Sequence, residues 1–135
     1  MKLVLKNSSI LFKKQGIVPG TYDTKEFCEN EGLYKTDVIP LVLTSSSNWG
    51  YSDFVPVDAL DEVNVACCSH VNCPGILYFS AKDLTTYLGY EDDGANSLSM
   101  HKFDSFTPPT GAQYAIIQSY IGTGYYQEGS TITLV

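Results

Sequence analysis

The chain has 135 residues, 44% hydrophobic and 13% aromatic, enough to bury one core and build one domain. Only 17% are charged and the formal net charge is −7, so a phosphate backbone would be repelled and nucleic acid is not expected as a partner. No stretch approaches the roughly 18 consecutive apolar residues of a membrane helix, so no membrane association is expected either.

The opening "MKLVLKNSSILFKK" has its apolar runs broken by Lys6, Asn7, Ser8 and Ser9 and lacks a small-x-small cleavage site. It therefore reads as part of a chain folded in a cytoplasm rather than as a secretion signal. "KLVLK" and "ILFKK" are apolar at strand length, with Leu3, Leu5, Ile10 and Phe12 as their contact residues. Residues 1–20 are predicted to form a strand-like arm, either a small hairpin or an extension onto a neighbouring subunit. Residues 21–135 are predicted to form the folded domain. "QGIVPGTYDTKEFCENEG" carries glycines and a proline and reads as mostly loop with one helical turn.

"LYKTDVIPLVLTSSSN" opens the β region, with Pro40 marking an edge or a bulge. "YSDFVPV", "EVNVACCSH", "GILYFSA", "TTYLGY", "HKFDSF", "AQYAIIQSY" and "STITLV" follow. Each is short, rich in β-branched or aromatic residues and set off by Pro, Gly, Asn or Asp. With no long amphipathic helix between them, they predict an all-β antiparallel sandwich, jelly-roll-like.

"CCSHVNC" gathers three thiols and His70 in seven residues. A zinc site needs ligands that converge tetrahedrally, and only Cys28 and His101 are left to complete one, so reduced, partly buried thiols are expected and no metal or other cofactor. A Cys–His catalytic pair lacks a recognisable orienting carboxylate. "YEDDGAN" offers Glu91, Asp92, Asp93 and Asn96 as oxygen ligands, but the spacing is not that of a calcium loop, and a solvated hairpin tip is expected. No phosphate loop, serine elbow or metalloprotease motif occurs, so no enzymatic activity is predicted. Trp49 and Tyr51 flank Gly50, and "SYIGTGYYQEG" brings in Tyr125 and Tyr126. With Asp53 or Asn48 to orient a sugar, these rings make a candidate glycan platform; filling the core or an interface is the competing expectation.

Three blocks stand in order: "SSSNWGYSDFVPV", "ILYFSAKDLTTYLGY" and "FTPPTGAQYAIIQSY". Across about residues 33–121 the chain resembles the small β-sandwich modules of tailed-phage fibre, tail and capsid-decoration (head fibre) proteins, particularly of phages infecting gut Bacteroides and relatives. "FSAKD" and Ile116-Ile117 depart from that pattern, where a Y-D-S turn and an arginine are usual. The resemblance implies a virion structural protein, assembled in the bacterial host cytoplasm. It further implies self-association as a homotrimer, with the arm docked on a capsid or tail protein. A carbohydrate-binding module for host or mucus glycans is the alternative.

Overall fold

The computed structural model describes residues 18–122 and 130–135. They form two antiparallel sheets packed face to face, the all-β sandwich expected from the sequence, with a small ribbon laid over one of them. No helix among the described residues is long and apolar enough to cross a membrane.

The first sheet contains β1 (Gly20–Asp23), β12 (Thr131–Leu134), β7 (Leu60–Cys67) and β10 (Ser99–Phe103), in that order. The second contains β2 (Asn30–Glu31), β5 (Trp49–Tyr51), β11 (Tyr114–Tyr120), β8 (Ile76–Phe79) and β9 (Tyr87–Tyr90). The two-residue β6 (Val55–Pro56) also pairs with β11. The ribbon is β3 (Leu33–Lys35) with β4 (Val42–Thr44).

Alternation places side chains on opposite faces of each strand. Val63 and Val65 of β7 and Ile132 of β12 meet Val55, Ile76, Tyr78, Ala115 and Ile117 from the facing sheet, and this layer is the main core. The intervening residues of β8 and β11, namely Leu77, Phe79 and Ile116, point the other way. There they pack under Tyr34 and Leu41 of the ribbon segment together with Tyr51, Phe54, Leu84, Tyr87 and Tyr114. Both faces of these two strands are therefore covered, which is why they read as unbroken apolar runs rather than as alternating ones.

"WGYSDFVPV" turns out to be a jointed strand. Tyr51 and Trp49 pair with Gln118 and Tyr120, and then the chain steps out and rejoins β11 at Val55 and Pro56. At the joint, buried Ser52 replaces the missing ladder bond: its N–H donates to the Ile117 carbonyl at 2.8 Å, and its Oγ accepts from the Ile117 N–H at 2.9 Å. Gly50 is required by close approach, since a Cβ there would lie 2.2 Å from the Cys28 carbonyl oxygen.

The segment expected to be mostly loop is more ordered than that. Its helical turn exists as α1 (Thr24–Phe27), N-capped by Asp23, whose carboxylate accepts from the Glu26 N–H at 3.2 Å. It is flanked by β1 and β2. Strand β1 begins at Gly20, one residue inside the predicted arm, and pairs with β12 at the far end of the chain. Leu3, Leu5, Ile10 and Phe12 lie outside the described residues.

"SAKDLTTYL" is a hairpin, joining β8 to β9 through a 3-10 turn at Leu84–Thr86. Asp83 caps the turn, accepting from the Thr85 N–H at 2.8 Å.

Candidate functional site

Two features stand out from the packed interior: the outer side of the ribbon, and a polar cluster where the 68–75 loop meets the 91–98 connection between the two sheets.

Among the described residues, the ribbon segment carries most of the large apolar side chains left in solvent. Val38, Ile39, Val42 and Leu43 are exposed, Ile39 at 67%. Ile39, Pro40 and Leu41 wall an apolar groove whose opposite side is Leu84, Thr85 and Tyr87. Residues 38–52 contain no charged side chain. The ribbon is stapled to the sandwich by Gln118, which is fully buried. Gln118 Oε1 accepts from the Tyr34 N–H at 3.0 Å, and its Nε2 donates to the carbonyls of Tyr34 and Pro74 at 2.9 and 2.7 Å.

The polar cluster is built on β10. Ser99, His101 and Phe103 share one strand face, the face that turns Phe103 into the core. The His101 ring, 6% exposed, stacks on Phe103 with centroids 6.4 Å apart. Its Nδ1 lies 2.8 Å from Asp93 Oδ2, and its Nε2 lies 3.2 Å from Ser99 Oγ and 3.4 Å from the Ser97 carbonyl oxygen. Asp93 is fixed in turn. Its N–H donates to Ser69 Oγ at 3.0 Å, and its Oδ1 accepts from the Ala95 N–H at 3.0 Å. Partial burial pushes the Asp93 carboxyl upward, but hydrogen bonds from His101, Ala95 and Ser69 outweigh it and hold the group below its ordinary value.

The structure corrects two expectations here. Cys68 and Cys73 are joined by a disulfide that clasps the loop, so they are not reduced thiols, and neither is available to a zinc ion alongside His70. The loop closes tightly because Ser69 adopts a left-handed backbone (φ 46°) and Cys73 N–H donates to the His70 carbonyl at 3.1 Å. Nor is "YEDDGAN" a uniformly solvated tip. Glu91 is buried, and its carboxylate accepts from Tyr78 Oη, Thr107 N–H and Thr107 Oγ1 at 2.7, 2.8 and 2.7 Å.

Cys28 and Cys67 are the remaining thiols among the described residues, and both are buried. Burial, with a smaller contribution from the Asp23 charge, raises the Cys28 thiol well above its ordinary value. Burial likewise pushes Cys67 up to about 12, against the partly offsetting hydrogen bond to the Ser69 backbone. A thiol whose pKa is higher folded than unfolded stabilises the fold below the unfolded pKa, and that contribution is lost as pH rises towards the folded one. Two consequences are expected: stability declines above about pH 9, and neither thiol reacts with Ellman's reagent at neutral pH until denaturant is added. Thiol counts taken with and without denaturant and reductant check this and the disulfide together. Rapid reaction of Cys67 in the native protein would contradict it.

Trp49 of the candidate glycan platform is not presented to solvent. Trp49 is only 8% exposed and meets Tyr120 edge-on at 5.6 Å, and a ring in that position has no free face to stack on a sugar. Tyr51 is partly buried and packs edge-on against Tyr34 at 5.0 Å. Asp53 is exposed and accepts from Asn30 Nδ2 at 3.1 Å, which ties it to β2. Tyr125 and Tyr126 lie outside the described residues. The sequence reading missed Ser99, His101 and Asp93 as a group. A Ser-x-His on a strand is the signal that was present, because residues two apart share a face.

No protein-family model, no curated protein and no solved structure matches the chain.

Proposed function

We propose that the protein is a structural module of a phage virion, in the head fibre, the capsid decoration or a fibre, that self-associates as a homotrimer and docks on a larger assembly. The sandwich fold and the order of the three sequence blocks favour this reading. One observation carries the self-association: the uncharged ribbon segment exposes Val38, Ile39, Val42 and Leu43 and walls an apolar groove against Leu84, Thr85 and Tyr87.

The proposed occupant of the groove is a second copy of this chain. Residues 18–135 hold all 15 acidic side chains against four lysines, so two copies repel over most of their surfaces. The charge-free ribbon segment is where they can approach without that penalty. An exposed apolar side chain of this segment entering the groove of the next copy is a heterologous contact, which closes into a ring when the rotation is threefold. Residues 1–17 hold the other four lysines and no acidic residue. That composition suits an arm that anchors each copy on a capsid or tail protein.

Light scattering over a dilution series tests the self-association. The wild-type chain, and a chain lacking residues 1–17, should both run as trimers. The double variant Ile39→Glu, Val42→Glu should run as a monomer with an unchanged far-ultraviolet dichroism spectrum, because both positions are exposed in the single chain. A monomeric wild type at every concentration would sink the self-association. Absence of the chain from the protein inventory of gradient-purified particles would sink the virion assignment.

A further inference from the structure

We propose that Ser99 is an activated nucleophile, the acyl acceptor of a Ser99–His101–Asp93 relay that cleaves small carboxylic esters with good leaving groups. This goes beyond the assembly role and rests on none of it.

Asp93 Oδ2 can only accept when ionised, so the 2.8 Å contact assigns the proton of the neutral imidazole to His101 Nδ1. The Nε2 lone pair is then left facing Ser99 Oγ at 3.2 Å, within reach for removing the hydroxyl proton. The ring cannot swing away, because it is buried and stacked on Phe103. Asp93 is held by the Ser69 hydroxyl and the Ala95 N–H, so both ends of the relay are fixed by the meeting of two loops. Ser99, in contrast, is exposed. A buried base that is oriented by a carboxylate and aimed at an accessible hydroxyl is the geometry of an acyl-transfer nucleophile.

In the reaction, Ser99 Oγ attacks the ester carbonyl carbon and its proton passes to His101 Nε2. The resulting imidazolium keeps Asp93 on one nitrogen and has the Ser97 carbonyl 3.4 Å from the other as a second acceptor. Collapse of the tetrahedral adduct breaks the ester C–O bond, and the leaving alcohol departs with the proton from His101. A water molecule then attacks the acyl-Ser99, with His101 again taking the proton. The carboxylic acid leaves, and Ser99 Oγ recovers its proton. The substrate class follows from the openness of the site: Ser99 faces solvent, and an activated ester such as an aryl ester demands the least electrostatic help with its departing group.

The test uses the full chain with a fluorophosphonate probe, followed by peptide mapping, and with p-nitrophenyl acetate. A single adduct on Ser99 is expected, together with an ester burst, and both should vanish in Ser99→Ala, an exposed position that leaves the fold intact. His101→Gln should slow labelling about a hundredfold, the contribution of a positioned general base. Asp93 acts through His101 as a positioning residue, so Asp93→Asn should slow labelling while Asp93→Glu restores part of it, with unchanged dichroism in both. An adduct elsewhere, no adduct, or equal labelling in His101→Gln would overturn the proposal.

Discussion

Gln118→Leu is expected to lower the unfolding free energy by about 3–5 kcal/mol, a large share of the 5–15 kcal/mol typical of a domain. Leucine fits the volume and suits the apolar neighbours Leu77 and Ile116, so packing alone would call the change harmless. The loss comes from the backbone groups that Gln118 satisfies. The Tyr34 N–H, the Tyr34 carbonyl and the Pro74 carbonyl would all be left without a partner in a place water does not reach. Each such group costs about 1–3 kcal/mol when its bond is removed and nothing replaces it. Urea unfolding checks the magnitude, and light scattering checks the consequence. Because this side chain staples the ribbon to the sheet, Gln118→Leu should lose self-association along with stability. Ile39→Glu, Val42→Glu should lose self-association alone. A neutral Gln118→Leu would mean that the ribbon is held by its apolar contacts and that the amide is dispensable.

The same residue shows where the sequence is legible and where it is not. The runs "GILYFSA" and "AQYAIIQSY" announce buried strands, since β-branched and aromatic residues at strand length between turn signals have few other places to go. A glutamine inside the second run gives no sign that it serves a ribbon some 84 positions earlier in the chain. Strand β1 was illegible for a related reason. "GTYD" sets two strand-formers between a glycine and an aspartate, too short a run to read alone, and is a strand because β12 lies alongside it, with Thr21 and Thr133 hydroxyls 3.1 Å apart across the pair. "WGYSDFVPV" was legible as architecture, yet a tryptophan beside a glycine looks the same whether it faces solvent or core. Its burial is decided by Tyr120 and the facing sheet. The Ser99–His101 spacing is visible in the sequence, but Asp93 joins it only through the 91–98 connection and the Ser69 contact, and a disulfide between residues five apart sets the loop that holds Ser69. Non-local partners account for each of these gaps.

Glu91 provides the second large effect, and the pair of substitutions Glu91→Leu and Glu91→Gln separates its possible causes. The carboxylate gathers three donors from two parts of the chain: Tyr78 at the heart of β8, and both the N–H and the hydroxyl of Thr107 in the long connection before β11. Burial first, then the hydrogen bond and charge of Glu91, raises the Tyr78 phenol, so Tyr78 stays protonated and remains a donor through the alkaline range in which an exposed tyrosine would titrate. Leucine would strand the buried Tyr78 hydroxyl and take from the exposed Thr107 its charged acceptor, and a loss of about 2–4 kcal/mol is expected. Glutamine keeps a carbonyl oxygen for Tyr78 and the Thr107 N–H, and its amide can donate to the Thr107 hydroxyl once that rotor turns. The expected loss is then about 1 kcal/mol, the difference between hydrogen bonds to a charged and to a neutral acceptor. If both variants lost the same large amount, the negative charge itself would be the stabilising feature. If neither did, the 104–113 connection would be held by its other contacts. Glu91 also opens the connection that carries Asp93 from one sheet to the other, so a Glu91→Leu chain that still folds should label more slowly at Ser99, whereas Glu91→Gln should label at the wild-type rate. That outcome would tie the buried carboxylate to the geometry of the relay as well as to the stability of the sandwich.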